Sequence, residues 1–188
     1  MIGMTSTKQN IKFDQTPLET QIVQIAAGDK NALAALYTET KTAVYGFALS
    51  LLKNASDAED VLQDTYVRIW SSAETYNPMG KPMAWILTIA KNLATSKLRE
   101  RCKAADIPEE EWLLFQAETP AVSSDDKIAL NCAMKTLSEE ERQIVMLYAV
   151  SGLKHKEIAE FLSLPLSTVL SKYSRSLKKL KNTLKEGK

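Results

Sequence analysis

Apolar residues recur at spacings of three and four along almost the whole chain, and no stretch alternates apolar and polar residues between paired turn signals as a half-buried strand would. This period predicts an all-α fold. Proline and glycine gather at 77–82, Pro108, Pro120, near Gly152 and at Pro165, which sets the breaks between helices there. The first helices are expected over residues 18–27 and 32–54. The next begins at Ser56-Asp57-Ala58-Glu59, a capping-box pattern, and runs to about Tyr76. Its apolar side is Val61, Leu62, Tyr66, Ile69 and Trp70, and its other side carries Asp57, Asp60, Gln63, Asp64 and Arg68. After a loop over 76–81 comes a long helix, about 83–102, apolar at Trp85, Ile86, Ile89, Ala90, Leu93 and Leu98. Trp85 shares a side with Ile89 and Leu93 and so reads as core. A second capping box, Ser138-Glu139-Glu140-Glu141, opens a helix that stops at Gly152.

The chain therefore divides into a polar tail over 1–17, a helical domain over 18–103, an acidic linker over 104–126 and a smaller helical domain over 127–184. An apolar cluster, Trp112-Leu113-Leu114-Phe115, interrupts the linker, which is longer than an ordinary helix connection. With 188 residues, 45% of them hydrophobic and 25% charged, this is ordinary material for a globular protein.

Charge changes the picture by its distribution. The net is only +1. Yet residues 81–103 hold six basic residues against one acid, and 167–188 hold seven against one, while 104–126 hold seven acids and no Lys or Arg. Two basic blocks with an acidic one between them indicate two anion-binding surfaces. Cys102 and Cys132 form no CxxC pattern, so no disulfide framework or zinc site is expected, and the cytoplasm is the expected compartment. No apolar run approaches ~20 residues, and the N-terminus lacks a secretion signal.

Residues 153–181 read as a helix-turn-helix. A short helix over 155–162 presents Ile158, Ala159 and Leu162 on one side, and small Ala159 permits a close crossing. After Ser163-Leu164-Pro165 a second helix follows, with Val169, Tyr173, Leu177, Leu180 and Leu184 as its expected buried stripe. Ser167, Thr168, Ser171, Lys172, Arg175 and Lys179 supply short hydroxyls at its start and then long cations, the order a recognition helix uses on bases and phosphates.

The run Asp57-Ala58-Glu59-Asp60-Val61-Leu62-Gln63-Asp64-Thr65-Tyr66-Val67-Arg68-Ile69-Trp70 resembles the polymerase-binding segment of bacterial sigma factors. Residues 83–101 resemble the family's segments that melt and read the promoter −10 element, and the C-terminal block resembles its −35-reading domain. The resemblance covers about 20–103 and 127–182. With no room for the further domains of housekeeping sigma factors, it points to the extracytoplasmic-function (ECF) group of the sigma-70 family. Ser96, Lys154 and Leu170 depart from the usual pattern, which bears on the promoter sequence rather than the class.

The resemblance implies an alternative sigma factor that recruits core RNA polymerase to promoter DNA. Asp60, Gln63, Asp64 and Arg68 would face the clamp coiled coil of the largest polymerase subunit, and the C-terminal domain the flap of the second largest. Asn92 would sit beside a pocket for a flipped −10 base, with the 77–81 loop as its wall. Lys91, Lys97, Arg99, Arg101 and Lys103 would hold phosphates, with Lys81 also on the −10 DNA, and an anti-sigma factor would regulate the whole. The linker would thread toward the polymerase active centre. Two other readings stay open on the residues alone. A helix-turn-helix regulator without sigma activity would use 127–184 and leave 57–103 without a role. An enzyme would need a constellation that the single histidine, His155, does not supply; no cofactor or metal is expected.

Overall fold

The computed structural model describes residues 16–78, 80–104, 130 and 132–186, without the side chains of 101–104 and 186. Tail residues 1–15, linker residues 105–126 with their apolar cluster, and the Arg101 side chain lie outside the described residues, while Thr16 and Pro17, expected in the tail, begin the first helix and Ala104, expected in the linker, ends the fourth. Among the described residues seven helices carry the fold: α1 (Pro17–Ala26), α2 (Lys30–Leu52), α3 (Ala55–Ser72), α4 (Pro82–Ala104), α5 (Glu139–Ala149), α6 (His155–Leu162) and α7 (Leu166–Glu186). A 3₁₀ turn, Ala73–Thr75, follows α3, and a helical turn over 132–135 precedes α5. Among the described residues there is no strand, and no helix is long and apolar enough to cross a membrane.

Local chemistry sets the helix starts. Thr16 and Glu19 close a capping box on α1, and the Asp29 carboxylate accepts from the amides of Asn31 and Ala32 at the start of α2. The expected box at Ser56 is replaced by a cap two residues earlier, at Asn54. Lys53 ends α2 in the left-handed region (φ 53°), and Asn54 turns the chain and accepts from the Asp57 amide at 2.9 Å. With two residues between the helices, Asn54 is the only one extended enough to cap, and Ser56 is left on the exposed first turn. The box at Ser138 and Glu141 forms as the sequence indicates.

The main apolar cluster runs through both halves of the chain. Ile22, Leu36, Val44, Phe47, Leu49, Ile69, Ile86 and Leu87 from α1–α4 share it with Ile144, Leu147, Ile158 and Val169 from α5–α7. Helix α2 packs against α5, and α4 against α6. Phe161 is one of the contacts that bridge the halves, its ring edge-on to buried Phe47 at 5.5 Å. A smaller cluster, Ala133, Met134, Leu137, Val145 and Leu180, belongs to the C-terminal half alone.

Candidate nucleic-acid and polymerase interfaces

Helix α3 buries Ala58, Val61, Thr65, Tyr66 and Ile69, so period 3.6 turns Asp60, Gln63, Asp64 and Arg68 outward, where all four are exposed. Two apolar residues share this outer side. Val67 is 68% exposed, and Trp70, expected in the core, is exposed as well. Trp70 lies one position beyond Ile69, which takes the inward place. Val67 stands in the run Tyr66-Val67-Arg68-Ile69-Trp70, off the stripe that Val61, Thr65, Tyr66 and Ile69 bury, so apolar character alone does not mark it as outward. The buried side also holds a polar pair: the Tyr66 hydroxyl and Thr40 Oγ1 lie 2.7 Å apart, and burial pushes the Tyr66 phenol well above its ordinary pKa.

Helix α4 buries Ile86, Leu87, Ala90 and Ala94, with Trp85, Ile89, Leu93 and Leu98 half-buried beside them. Trp85 is part of the packing, its ring 5.0 Å from that of Tyr76. The expected DNA-binding residues of α4 separate into two sets. Asn92 and Arg99 are exposed. The described lysines are engaged. Lys81 Nζ lies 3.0 Å from the Glu160 carboxylate on α6, which holds that carboxyl below its usual range. Lys91 Nζ donates to the Phe161 carbonyl at 3.0 Å and sits 5.0 Å over the Phe161 ring. Lys97 bridges back to α3, pairing with Asp57 at 3.4 Å and with Asp60. Partial burial works against its ammonium, but the bonds and charges of Asp60 and Asp57 outweigh this and raise its pKa. A cation expected on DNA and a carboxylate expected on polymerase are thus partners of each other.

The loop before α4 is fixed from a distant point. Glu19 of α1 is 1% exposed, and its Oε1 accepts from the Tyr76 hydroxyl at 2.8 Å and from the Gly80 amide at 2.8 Å. The signal for Glu19 was available as Thr16-Pro-Leu-Glu19, a capping box with proline at the first helical position, one residue ahead of the expected helix start.

In the C-terminal half, Ser163 ends α6 in the left-handed region (φ 55°), and Leu164 donates to the Ala159 carbonyl at 2.9 Å. That tight turn places α7 across α6, with Ala159 and Val169 both buried. Lys154 offers α6 no side-chain acceptor, but Glu157 reaches back to its amide at 2.8 Å. Ser167, Ser171, Arg175 and Lys179 are exposed, and Thr168 and Lys172 half-buried. Lys172 pairs with Glu140 at 2.9 Å, Lys179 with Glu141 at 2.8 Å, and Arg175 Nε donates to the Ser171 carbonyl at 3.2 Å. The buried stripe of α7 differs from the expected one. Ser176 is fully buried, while Leu177 (45%) and Leu184 are exposed, because the stripe set by Val169 and Leu180 turns Ser176 inward and carries those leucines past its edge. His155 is no bare surface group: its ring stacks on Tyr148 at 4.4 Å and meets Tyr173 edge-on at 4.8 Å.

An outward acidic helix, a cationic helix beside it and a helix-turn-helix define the class as a helical DNA-binding protein with a second, protein-facing surface. The family model "Sigma-70 region 2" matches residues 36–103, and "Sigma-70, region 4" matches 127–180. An ECF RNA polymerase sigma factor SigK of Mycobacterium sp. (strain KMS) is 32% identical over 192 residues, covering 96% of this chain and 98% of the relative. The SigK of Mycobacterium ulcerans (strain Agy99) is 29% identical over 171 residues, 86% and 90% of the two chains. Among solved structures, CnrH in complex with the cytosolic domain of CnrY superposes with a TM-score of 0.63 at 22% identity, over 91% of this chain and 99% of that one. The sigma factor RpoE of Bartonella quintana, in complex with the anti-sigma factor NepR, gives 0.61 at 24% identity, over 79% and 94%. The chain belongs to the ECF sigma factors of the sigma-70 family, the alternative sigma factors of transcription initiation.

Proposed function

We propose that the chain docks on the clamp coiled coil of core RNA polymerase through the outer side of α3, using Asp60, Gln63, Asp64 and Arg68 with Val67 as an apolar anchor between the charges. Helix α4 opens and reads the −10 element, with Asn92 at a flipped base and Lys81, Lys91, Lys97, Arg99 and Arg101 on phosphates. Helix α7 reads the −35 element with Ser167, Thr168, Ser171, Lys172, Arg175 and Lys179, and its half of the chain meets the flap of the second-largest subunit. The protein contributes binding and strand separation, the polymerase contributes the chemistry, and the setting is the cytoplasm. The single observation that carries this reading is the order, on one chain, of an acidic outward helix, a cationic helix and a helix-turn-helix.

Size adds a condition. A chain of 188 residues packed as one body is roughly 40 Å across. The two promoter elements lie about 25 base pairs apart, on the order of 85 Å along the duplex. One closed body cannot lie on both, and α6 already occupies Lys81 and Lys91. Promoter binding therefore goes with separation of α6 from α4. An anti-sigma factor that holds the halves in place would act against that step, and RpoE of B. quintana is seen with such a partner.

Run-off transcription with core polymerase on genomic fragments, followed by mapping of start sites, tests the proposal. Start sites that share upstream elements and depend on this protein support it. Sequence-specific DNA binding without any polymerase-dependent transcript would favour a plain helix-turn-helix regulator.

A further inference from the structure

Glu19 is remote in sequence from every residue assigned above to DNA or polymerase, yet its carboxylate is among the most buried polar groups of the fold. A capping-box glutamate needs one oxygen for the cap. Here Oε2 takes that role, accepting from the Thr16 amide at 3.4 Å. Oε1 is committed to the loop about sixty residues downstream, at Tyr76 and at Gly80. A carboxylate is tolerated in the interior only when donors surround it, so the burial of Glu19 and the shape of the loop depend on each other.

The two donors mark the ends of the loop. Tyr76 is where the chain leaves the 3₁₀ turn, and its ring rests against Trp85 in the first turn of α4. Gly80 stands just before α4 with φ +71°, a left-handed conformation that side chains rarely adopt. The Lys81 carbonyl then accepts from the Trp85 amide at 3.2 Å and starts the helix. One oxygen pins Tyr76 and Gly80, so both ends of the loop are set relative to α4 before any DNA arrives, with Asn77 exposed beside the first pin.

We propose that Glu19 is a positioning residue for promoter opening: it holds Tyr76 and Gly80, the two ends of the loop before α4, in place, so that a base leaving the −10 duplex meets a preset frame beside α4. The proposal rests on the −10 reading given above. Its physical content is preorganisation, since ordering the loop is completed in folding and is not added to the cost of unstacking the base.

Four variants separate this role from support of α1. Glu19→Ala removes both functions. Glu19→Gln keeps an acceptor oxygen for the loop but puts an amide nitrogen where the cap needs an acceptor. Thr16→Ala loses the cap and keeps the loop. Tyr76→Phe removes one pin and spares the fold should Glu19→Ala prove too unstable. Each is assembled with core polymerase and assayed by permanganate footprinting on a duplex promoter and on the same promoter pre-melted over the −10 element, with thermal unfolding alongside. Glu19→Ala is expected to slow opening of the duplex about tenfold, and Tyr76→Phe about threefold, while both stay near wild type on the pre-melted template. Glu19→Gln stays within about threefold of wild type on both templates, and Thr16→Ala lowers the melting temperature without a duplex-specific loss. Equal losses on the two templates, or a Thr16→Ala defect matching that of Glu19→Ala, would overturn the proposal. Failure of the wild-type protein to open any promoter would overturn the −10 reading itself and this inference with it.

Discussion

The cationic sides of α4 and α7 carry similar residues but are held in different ways. On α7 the counter-charges come from the neighbouring helix of the same half: Glu140 for Lys172 and Glu141 for Lys179. Each pair has one exposed partner, Lys179 in one and Glu140 in the other, so solvent screens it to about 1 kcal/mol, and a rotamer change releases the lysine to a phosphate. At α4, Lys91 and the preceding loop residue Lys81 are held by the other half of the molecule, through the Phe161 carbonyl and Glu160, and behind those contacts lies the apolar seam with Phe47. Releasing Lys91 means withdrawing a helix. On the proposed assignment the −35 residues are therefore available to DNA in the closed form, whereas Lys81 and Lys91 of the −10 set become available only when the halves part. The same charge pattern in sequence thus describes an open surface in one helix and a covered one in the other.

The strongest way to break this comparison is to attack the shared core. Phe47→Ala is expected to cost about 3–5 kcal/mol, and because α5–α7 pack on the same cluster, hydrogen exchange should accelerate in both halves. Faster exchange confined to α1–α4 would mean that the seam holds little. A finer cut is Phe161→Ala, which removes a half-buried ring at the seam and is expected to weaken docking of the halves by ~1–2 kcal/mol. Small-angle scattering should show a larger radius, and affinity for a single-stranded −10 oligonucleotide should rise because Lys91 is freed. Unchanged affinity would mean that α6 does not cover the −10 surface. Smaller again is the contrast between Lys172→Ala and Lys91→Ala in the free protein. The first should lower the salt slope of binding to a −35 duplex by about one, and the second should leave that binding untouched.

The smallest effect expected is one of pH. Burial works to raise the Glu141 pKa, but Lys179 and the Ser138 amide outweigh it and hold the carboxyl below its usual value of 4.5. A carboxyl lowered in the folded state stabilises the protein above its unfolded pKa, and that contribution is lost as pH falls through the lowered folded value. Acid titration of stability should therefore show a loss below about pH 4.5 that is reduced in Glu141→Gln, by less than ~1 kcal/mol because Lys179 is half exposed. Identical acid profiles would remove the pair from the account.

Helical period, breaks and caps were legible wherever they obey local rules: the all-α class, the box at Ser138 and the span of α6 follow from sequence alone. Departures arise where tertiary geometry chooses between neighbours. Asn54 caps α3 in place of Ser56 because the preceding left-handed Lys53 leaves a two-residue turn. Leu177 and Leu184 look like core by composition, yet the axis set by Val169 and Leu180 turns Ser176 inward instead. The outward acids of α3 and the hydroxyl-then-cation order of α7 could be read directly, since each lies within one helix. Glu19 and Phe161 could not, because their importance comes from partners about sixty and more than a hundred residues away in sequence.

The contrast between the two cationic surfaces turns on whether α6 leaves α4 when the promoter is engaged. With Cys102 and Cys132 replaced by serine, spin labels at position 88 on the exposed side of α4 and at position 156 on α6 report that separation by pulsed dipolar spectroscopy. A single short distance is expected in the free protein. In the transcriptionally active complex with core polymerase and promoter it should lengthen by on the order of 20 Å or more, since the two elements lie further apart than the closed body can reach. The same short distance in complexes that initiate transcription would contradict the account.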